Sequence, residues 1–408
     1  MSAVVFVAPY YLDTTLRFVR AAAALPGVRL GVVSQEPWEK LPADLRDRVA
    51  GHWRVTDPLD AGQLAEAVAS LRDRLGSVDR LLGILEHLQV PLAEVRRRLG
   101  IPGMGPEAAR NFRDKARMKD VLRAAGVPCA RHALAASERE VRAFAAEVGF
   151  PIVCKPPAGA GAKATFRVDG DAALDEALRF ARPTPEEPVL LEEFIAGEEH
   201  SFDSVVVGGH PVWHSLTRYF PGPLEVLHHP WIQWVVVLPR EVDDPAYDDI
   251  RRIAFRAVGA LGLETGLSHL EWFRRPDGSV AVSEVGARPP GAQLVSLISW
   301  AHDTDFYGAW ARLMVEEEFA PPERRFAAGA AYLRGQGSGR VKAVHGLERA
   351  QEELGELVVE ARLPRAGQAA SGSYEGEGYV ILRHPETAVV ERGLRRLVTL
   401  LRVELAPP

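Results

Sequence analysis

Apolar positions in the first hundred residues follow two alternating periods. VVFVAP, RLGVVS and RLLGILE are short continuous apolar runs and read as buried strands, whereas TTLRFVRAAAAL, LPADLRDRVA and AGQLAEAVASLRDRL repeat at helical spacing. Strands alternating with helices predict a parallel, doubly wound sheet. At IPGMGP (101–106) the pattern breaks, which closes a first domain over 1–105. Residues 106–190 predict the helices PEAARNFRDKARMKDVLRAAG and SEREVRAFAAEVG, the strand PIVCKP and a glycine-containing loop. Residues 191–320 are strand-rich and end in the helix TDFYGAWARLMVEEE. Beyond the linker PPERR, residues 325–408 hold AAGAAYLRG, GELVVEARL, GYVILRH and a last helix, a small α+β cap.

Within the third region, LEWFR and SVAVSEV flank Asp277-Gly278, the dipeptide favoured in a two-residue type I′ turn. With those two residues as the turn, Glu271 falls directly opposite Glu284, their Cβ atoms roughly 5 Å apart on one face. Like charges so placed repel unless a proton or a cation lies between them. Gly286 and Arg288 follow Glu284 at two-residue steps and share its face. Two carboxylates and a guanidinium on one face fit a divalent metal site. The other readings are a register slipped by one, or glutamates paired with arginines such as Arg274.

Composition narrows the classes. A 47% hydrophobic, 25% charged chain of 408 residues is that of an ordinary globular protein, long enough for two to four domains. A net charge of −6 without a basic cluster argues against nucleic acid as a partner. No apolar run of about 18 residues predicts a membrane span, and MSAVVFVAP lacks a basic n-region, so a cytoplasmic protein is expected. Cys129 and Cys154 are too few for a disulfide framework or a zinc site. No G-x-G-x-x-G follows the first strand, which disfavours a dinucleotide site of the usual kind. Only six of the 49 basic residues are lysine, and Lys115, Lys119, Lys155 and Lys163 cluster, as a site needing compact ammonium groups against phosphate would require. Lys155 ends an apolar strand, where an unpaired ammonium is costly and a phosphate partner accounts for it.

Four segments in order, GMGPEAARNFRDKARMKDVLRAAGVP (103–128), PIVCKPPAGAGAKATFRV (151–168), VLLEEFIAGEEHSFDSVVV (189–207) and SHLEWFRRPDGSVAVSEVGARPPGA (268–292), resemble an ATP-grasp enzyme. The fold class this implies is mixed α/β and α+β. It comprises an N-terminal Rossmann-like parallel-sheet domain, two lobes that hold ATP between them, and the C-terminal cap. The resemblance implies that Lys115 reaches the α-phosphate, with Lys119 one turn on as a solvated helix lysine. It makes 158–166 a lid in which the N–H groups of Gly159 and Gly161, with Lys163 and Thr165, cover the β- and γ-phosphates. Glu192 would accept from the adenine amino group, the backbone from Glu193 through Ile195 would read the ring edge, and Glu199 would hold the ribose hydroxyls. Glu271 and Glu284 match the acidic ligands of magnesium, for which manganese can stand in. Many relatives have asparagine where this chain has Gly286. Arg288 would face the γ-phosphate and the tetrahedral intermediate.

Members of that family mostly phosphorylate a carboxylate and let a nucleophile attack the acylphosphate. PPGAQLVSLIS lacks the Gln-Val-Glu-His stretch of biotin carboxylases, and Pro290-Gly291 stands where purine-pathway members carry histidine or aspartate. ARPPGAQL and GILEHLQVPLAEVRRRLGIPG (83–103) instead resemble L-amino-acid ligases, with Glu86 where they bind a substrate ammonium. Substrate-side candidates are therefore Glu86, Gly291 and His269, with Glu225, His228, His229 and Trp231 of RYFPGPLEVLHHPW (218–231). The implied activity is an ATP- and magnesium-dependent ligase of small carboxylate and amine substrates. Another biosynthetic ATP-grasp ligase or carboxylase, or a non-catalytic nucleotide binder, is the alternative, and a homodimer is compatible with the resemblance.

Overall fold

A computed structural model describes residues 2–157, 165–229 and 232–407, with the side chain of His228 also left out. Gly159, Gly161 and Lys163, as well as Trp231, lie outside the described residues. Strands β1 (Ser2–Val7), β2 (Val28–Ser34), β3 (Val49–Arg54) and β4 (Arg80–Leu82) form a sheet in the order β3-β2-β1-β4, with every pairing parallel. β3 replaces much of an expected helix: in LPADLRDRVA only Ala43–Arg46 is helical, and the chain extends from Val49. There the closely packed Gly51 would place a Cβ only 2.8 Å from a Leu71 methyl, so a neighbouring helix sits directly on the strand. β4 is shorter than RLLGILE suggests, and Glu86 falls in a 3₁₀ turn, Glu86–Leu88, after its end.

A small antiparallel sheet follows, made of β5 (His132–Ala135), β6 (Ile152–Lys155), β7 (Phe166–Val168) and β8 (Val189–Glu193) in the order β5-β8-β6-β7. The expected single helix before it is two, Pro106–Arg113 and Lys115–Ala124. Asp114, extended between them, breaks the first and caps the second, its carboxylate accepting from the Ala116 and Arg117 N–H groups. That break puts Lys115 on the first turn of the second helix, where its N–H donates to the Pro157 carbonyl (3.1 Å).

The largest sheet collects β9 (Glu198–Val207), β10 (His210–Phe220), β11 (Trp234–Leu238), β12 (Gly266–Arg274) and β13 (Val280–Gly286). The C-terminal region supplies β14 (Ala327–Leu333), β15 (Gly335–Gln336), β16 (Arg340–His345), β17 (Val358–Arg362), β18 (Gly378–His384) and β19 (Arg402–Ala406). Eight of these pair as β13-β12-β9-β10-β11-β14-β18-β17, and the rest as β15-β19-β16. The C-terminal segment is thus continuous with the large sheet. Helices Leu294–His302 and Phe306–Glu316 pack between that sheet and the first one, in a core running from Phe6 through Trp310 to Trp234 and Tyr332. No helix among the described residues is long and apolar enough to cross a membrane.

The β12–β13 hairpin corrects one expectation in an instructive way. Its turn is not the two-residue Asp277-Gly278. Arg275 N–H donates to Ser279 O and Gly278 N–H to Arg275 O, both at 2.9 Å, closing a loop over 276–278 with Gly278 at φ +82°. This shifts the pairing by one, so Trp272 faces Val282 and Arg274 faces Val280. A bulge between Glu271 and Trp272, which leaves Ser283 as the extra residue, shifts it back, and Glu271 pairs with Glu284 and His269 with Gly286.

Candidate active site

Because side chains alternate across a sheet, cross-strand pairing fixes which residues share a face. One row runs Gly286, His269, Asp203, Ser215; the next runs Glu284, Glu271, Ser201, Thr217; a third pairs Phe273 with Glu199, and Tyr219, two residues beyond Thr217, shares their face. With Asp203, Ser201, Ser215 and Thr217 buried beneath, the other residues of these rows form the floor of a cleft whose further walls are the small sheet and the loop after β4, so that Lys115, Lys155, Glu86 and Arg288 line it together with Glu271 and Glu284. Thr165, Glu192, Glu193, Ile195, Glu199, His269 and Gly291 line it as well. His229 does not: it lies in a neighbouring depression beside Arg167, Arg218 and Tyr247, and Glu225 is exposed there on the short helix Pro223–His228.

The lysines hold the cleft's carboxylates. Lys115 Nζ donates to Glu284 Oε1 at 2.7 Å. Lys155 Nζ lies 2.9 Å and Lys119 Nζ 3.3 Å from the same oxygen of Glu192. Lys119 therefore is not the solvated helix lysine expected from sequence; it is fully buried and also donates to the Ser283 carbonyl at the bulge (2.8 Å). Glu192, assigned to the adenine amine, is already committed to two ammonium groups. Lys155 likewise meets a carboxylate within the protein. Along the 193–195 backbone, the Glu193 and Phe194 N–H groups donate to Arg131 O and Pro151 O, which leaves the Ile195 N–H not taken by a backbone carbonyl among the described residues.

Glu86 is clamped between guanidinium groups, Oε1 accepting from Arg113 (3.2 Å) and Oε2 from both Nε (3.2 Å) and Nη2 (3.1 Å) of Arg288. It sets the direction of Arg288, and both its oxygens are occupied. Fully buried Asp203 meets His269 Nδ1 at 2.7 Å, while Nε2 lies 3.7 Å from Glu271.

Burial dominates the electrostatics of these groups, and charge decides the outcome. Burial pushes the Glu284 carboxyl up, but Lys115 and Lys155 outweigh it and hold it at about 2. Burial also raises Glu199, and with Glu271 and Glu284 as like-charged neighbours it stays well above the carboxylate range. Lys119 is lowered by burial against the pull of Glu192. Burial works against the charge on His269, yet Asp203 overcomes it and lifts the imidazole to about 9.

Two carboxylates on facing strands suit a hard cation. Among the described residues no group of three or more His, Cys, Asp or Glu side chains is arranged to hold a metal. Magnesium fits this donor set, since it commonly takes one or two carboxylates and completes its shell with phosphate oxygens and water.

Arg113, Asp203, Trp234 and Tyr374 are cleft or supporting residues that sequence reasoning did not single out, and Lys119 was expected on the surface. The clustering of lysines was a signal for Lys119. Tyr374, in SGSYEGEGY, carried none.

Comparison with known proteins fits this geometry. The family model for the ATP-grasp domain matches residues 120–302. An uncharacterised protein, y4rH, of Sinorhizobium fredii is 26% identical over 355 residues, 84% of this chain and 72% of the relative. The L-arginine-specific L-amino acid ligase of Bacillus subtilis is 25% identical over 230 residues, and the chain spans 55% of its length. In structure, the L-amino acid ligase of Bacillus licheniformis superposes with a TM-score of 0.78 at 19% identity, covering 99% of this chain and 98% of that one. The matched span takes in the small antiparallel lobe and the hairpin that carries Glu271 and Glu284, so the centre of this chain is an ATP-grasp domain.

Proposed function

We propose that this protein is an ADP-forming ligase that joins a small carboxylic acid to an amine through an acylphosphate, most closely one amino acid to another. The observation that carries the reading is the convergence, in one cleft, of Lys115, Lys155 and Arg288 with the facing pair Glu271 and Glu284. Cations held by buried carboxylates are fixed in position, so they present oriented positive charge where a phosphoryl group would pass. Glu192 holds Lys155, and Glu86 holds Arg288, each at hydrogen-bond distance. Lys115 pairs with Glu284, and a polyphosphate entering between them would compete for that ammonium. A magnesium ion, or manganese, held by Glu271 and Glu284 would supply Lewis-acid neutralisation of the phosphate oxygens. No protein nucleophile is required. Cys154 is buried, and burial pushes its thiol up to about 11, far from a reactive thiolate.

The likeness to the two amino acid ligases supports the choice of substrates. The test is release of ADP and phosphate by purified protein with ATP and magnesium, across pairs of amino acids and small carboxylic acids. Release that requires both a carboxylate and an amine is the expected result. ATP binding without release for any pair would replace a ligase with a nucleotide-binding protein.

A further inference from the structure

Across the floor of the cleft the chemistry changes from acidic to aromatic. Glu284, Glu271 and Glu199 stand on β13, β12 and β9; Tyr219 and Trp234 stand on β10 and β11. At about 4.8 Å per strand, the aromatic end lies roughly 10–15 Å from the carboxylate pair. Trp234 is the centre of that end. Tyr332 stacks on it (centroids 4.7 Å, 24°), while Tyr374 (4.8 Å, 75°) and Tyr219 (5.6 Å, 60°) meet it edge to face. Leu224 closes one side. The small Ala292 also lines it, held at φ +50° with its carbonyl accepting from the Tyr332 hydroxyl.

This end is built, not incidental. Arg334, itself buried, donates to the carbonyls of Val226 (2.8 Å), His229 (3.2 Å) and Ile232 (2.7 Å), fixing the segment that carries Leu224. One residue on, Gly335 N–H donates to Glu377 (2.6 Å), which also takes the Ser371 N–H (2.9 Å) and so secures the loop that carries Tyr374. Both walls hang from one corner of the sheet, which pre-organises the space between them.

We propose that this end is a side-chain pocket selecting a ring-bearing substrate, an amino acid or carboxylic acid whose aromatic group packs against Tyr374 and Leu224, which stand over the buried Trp234. The proposal rests on the ligase reading and names its substrate class. A cationic side chain is disfavoured: both oxygens of Glu86 at the rim already hold guanidinium groups, and Arg288 repels a second cation. An anionic one would leave water for a wall of Leu224, Trp234, Tyr219 and Tyr374, which carries no charged donor.

The experiment compares phenylalanine with alanine, leucine, glutamate and lysine in each substrate position, as kcat/KM for ADP release, in the wild type, Tyr374→Ala and Tyr374→Phe. The expected wild-type preference for phenylalanine over alanine in one position is roughly tenfold or more. It should collapse in Tyr374→Ala and persist in Tyr374→Phe. Equal or better use of alanine, glutamate or lysine, or a ratio unmoved by Tyr374→Ala, overturns the pocket. If no pair is turned over, the same amino acids are compared by thermal shift with ATP and magnesium present. Stabilisation by phenylalanine beyond that by alanine, lost in Tyr374→Ala, upholds the pocket while the ligase reading fails. Equal shifts overturn the pocket on their own.

Discussion

Glu192 shows how much one carboxylate can carry. It is buried, two lysines converge on it, and the pair of positive charges keeps it ionised although burial opposes this. Removing it strands two buried ammonium groups, so Glu192→Ala should cost about 3 kcal/mol in urea unfolding and weaken ATP binding. Arg288→Lys is a different kind of change. It keeps the charge but loses the fork that spans Glu86, so the chain should fold normally while kcat for ADP release falls about a hundredfold. A fall confined to KM would remove Arg288 from the proposed chemistry. Lys155, Glu271 and Glu284 were legible because each sits where its residue type is costly without a partner. Lys119 was not, because helical spacing says which face a residue occupies but not what packs against that face; only β13 and β8 reveal that the face is interior.

At the scale of elements, the hairpin carries the clearest lesson. Sequence pattern placed Glu271 opposite Glu284, and they are opposite, but through two offsetting departures. The loop is a residue longer than a type I′ turn, and the bulge at Ser283 restores the phase. Turn dipeptides signal a reversal without fixing its length, and a bulge leaves no periodic trace when it is followed by only a few strand residues. Gly278 stands at φ +82° with open space where a Cβ would go. Gly278→Ala should therefore cost about 1 kcal/mol in unfolding experiments from backbone strain alone, with ADP release unchanged, since the bulge separates the turn from the carboxylates. The short helix over 106–113 and the extended Asp114 were likewise hidden, since aspartate at a cap and aspartate on a helix surface look alike until the chain direction is known.

For the whole molecule, alternation of strands and helices in the first hundred residues and the order of four motifs made the architecture legible. The continuity of the C-terminal strands with the large sheet was not, because β11, β14 and β18 join through pairings distant in sequence. Global stability carries a pH signature from the same core. His302, buried beside Trp213 and near the backbone of Pro322 and Glu323, is pushed down to about 3, first by burial and then by Arg324. The unfolded chain takes up this proton near pH 6.5 while the folded one refuses it, so the contribution is present above pH 6.5 and is lost as pH falls towards 3. The slope should approach about 1.4 kcal/mol per pH unit. His302→Leu should flatten that part of the melting-temperature profile relative to wild type, and an unchanged profile would show that the imidazole titrates freely in the fold. The Glu86 clamp has a further consequence at this scale. The carboxylate that aims Arg288 comes from the first domain, whereas Arg288 itself follows β13. A chimera that exchanges residues 1–105 for those of a relative would keep the guanidinium and replace its counter-ion, so this first segment is tied to the rest of the chain by charge as well as by the shared core.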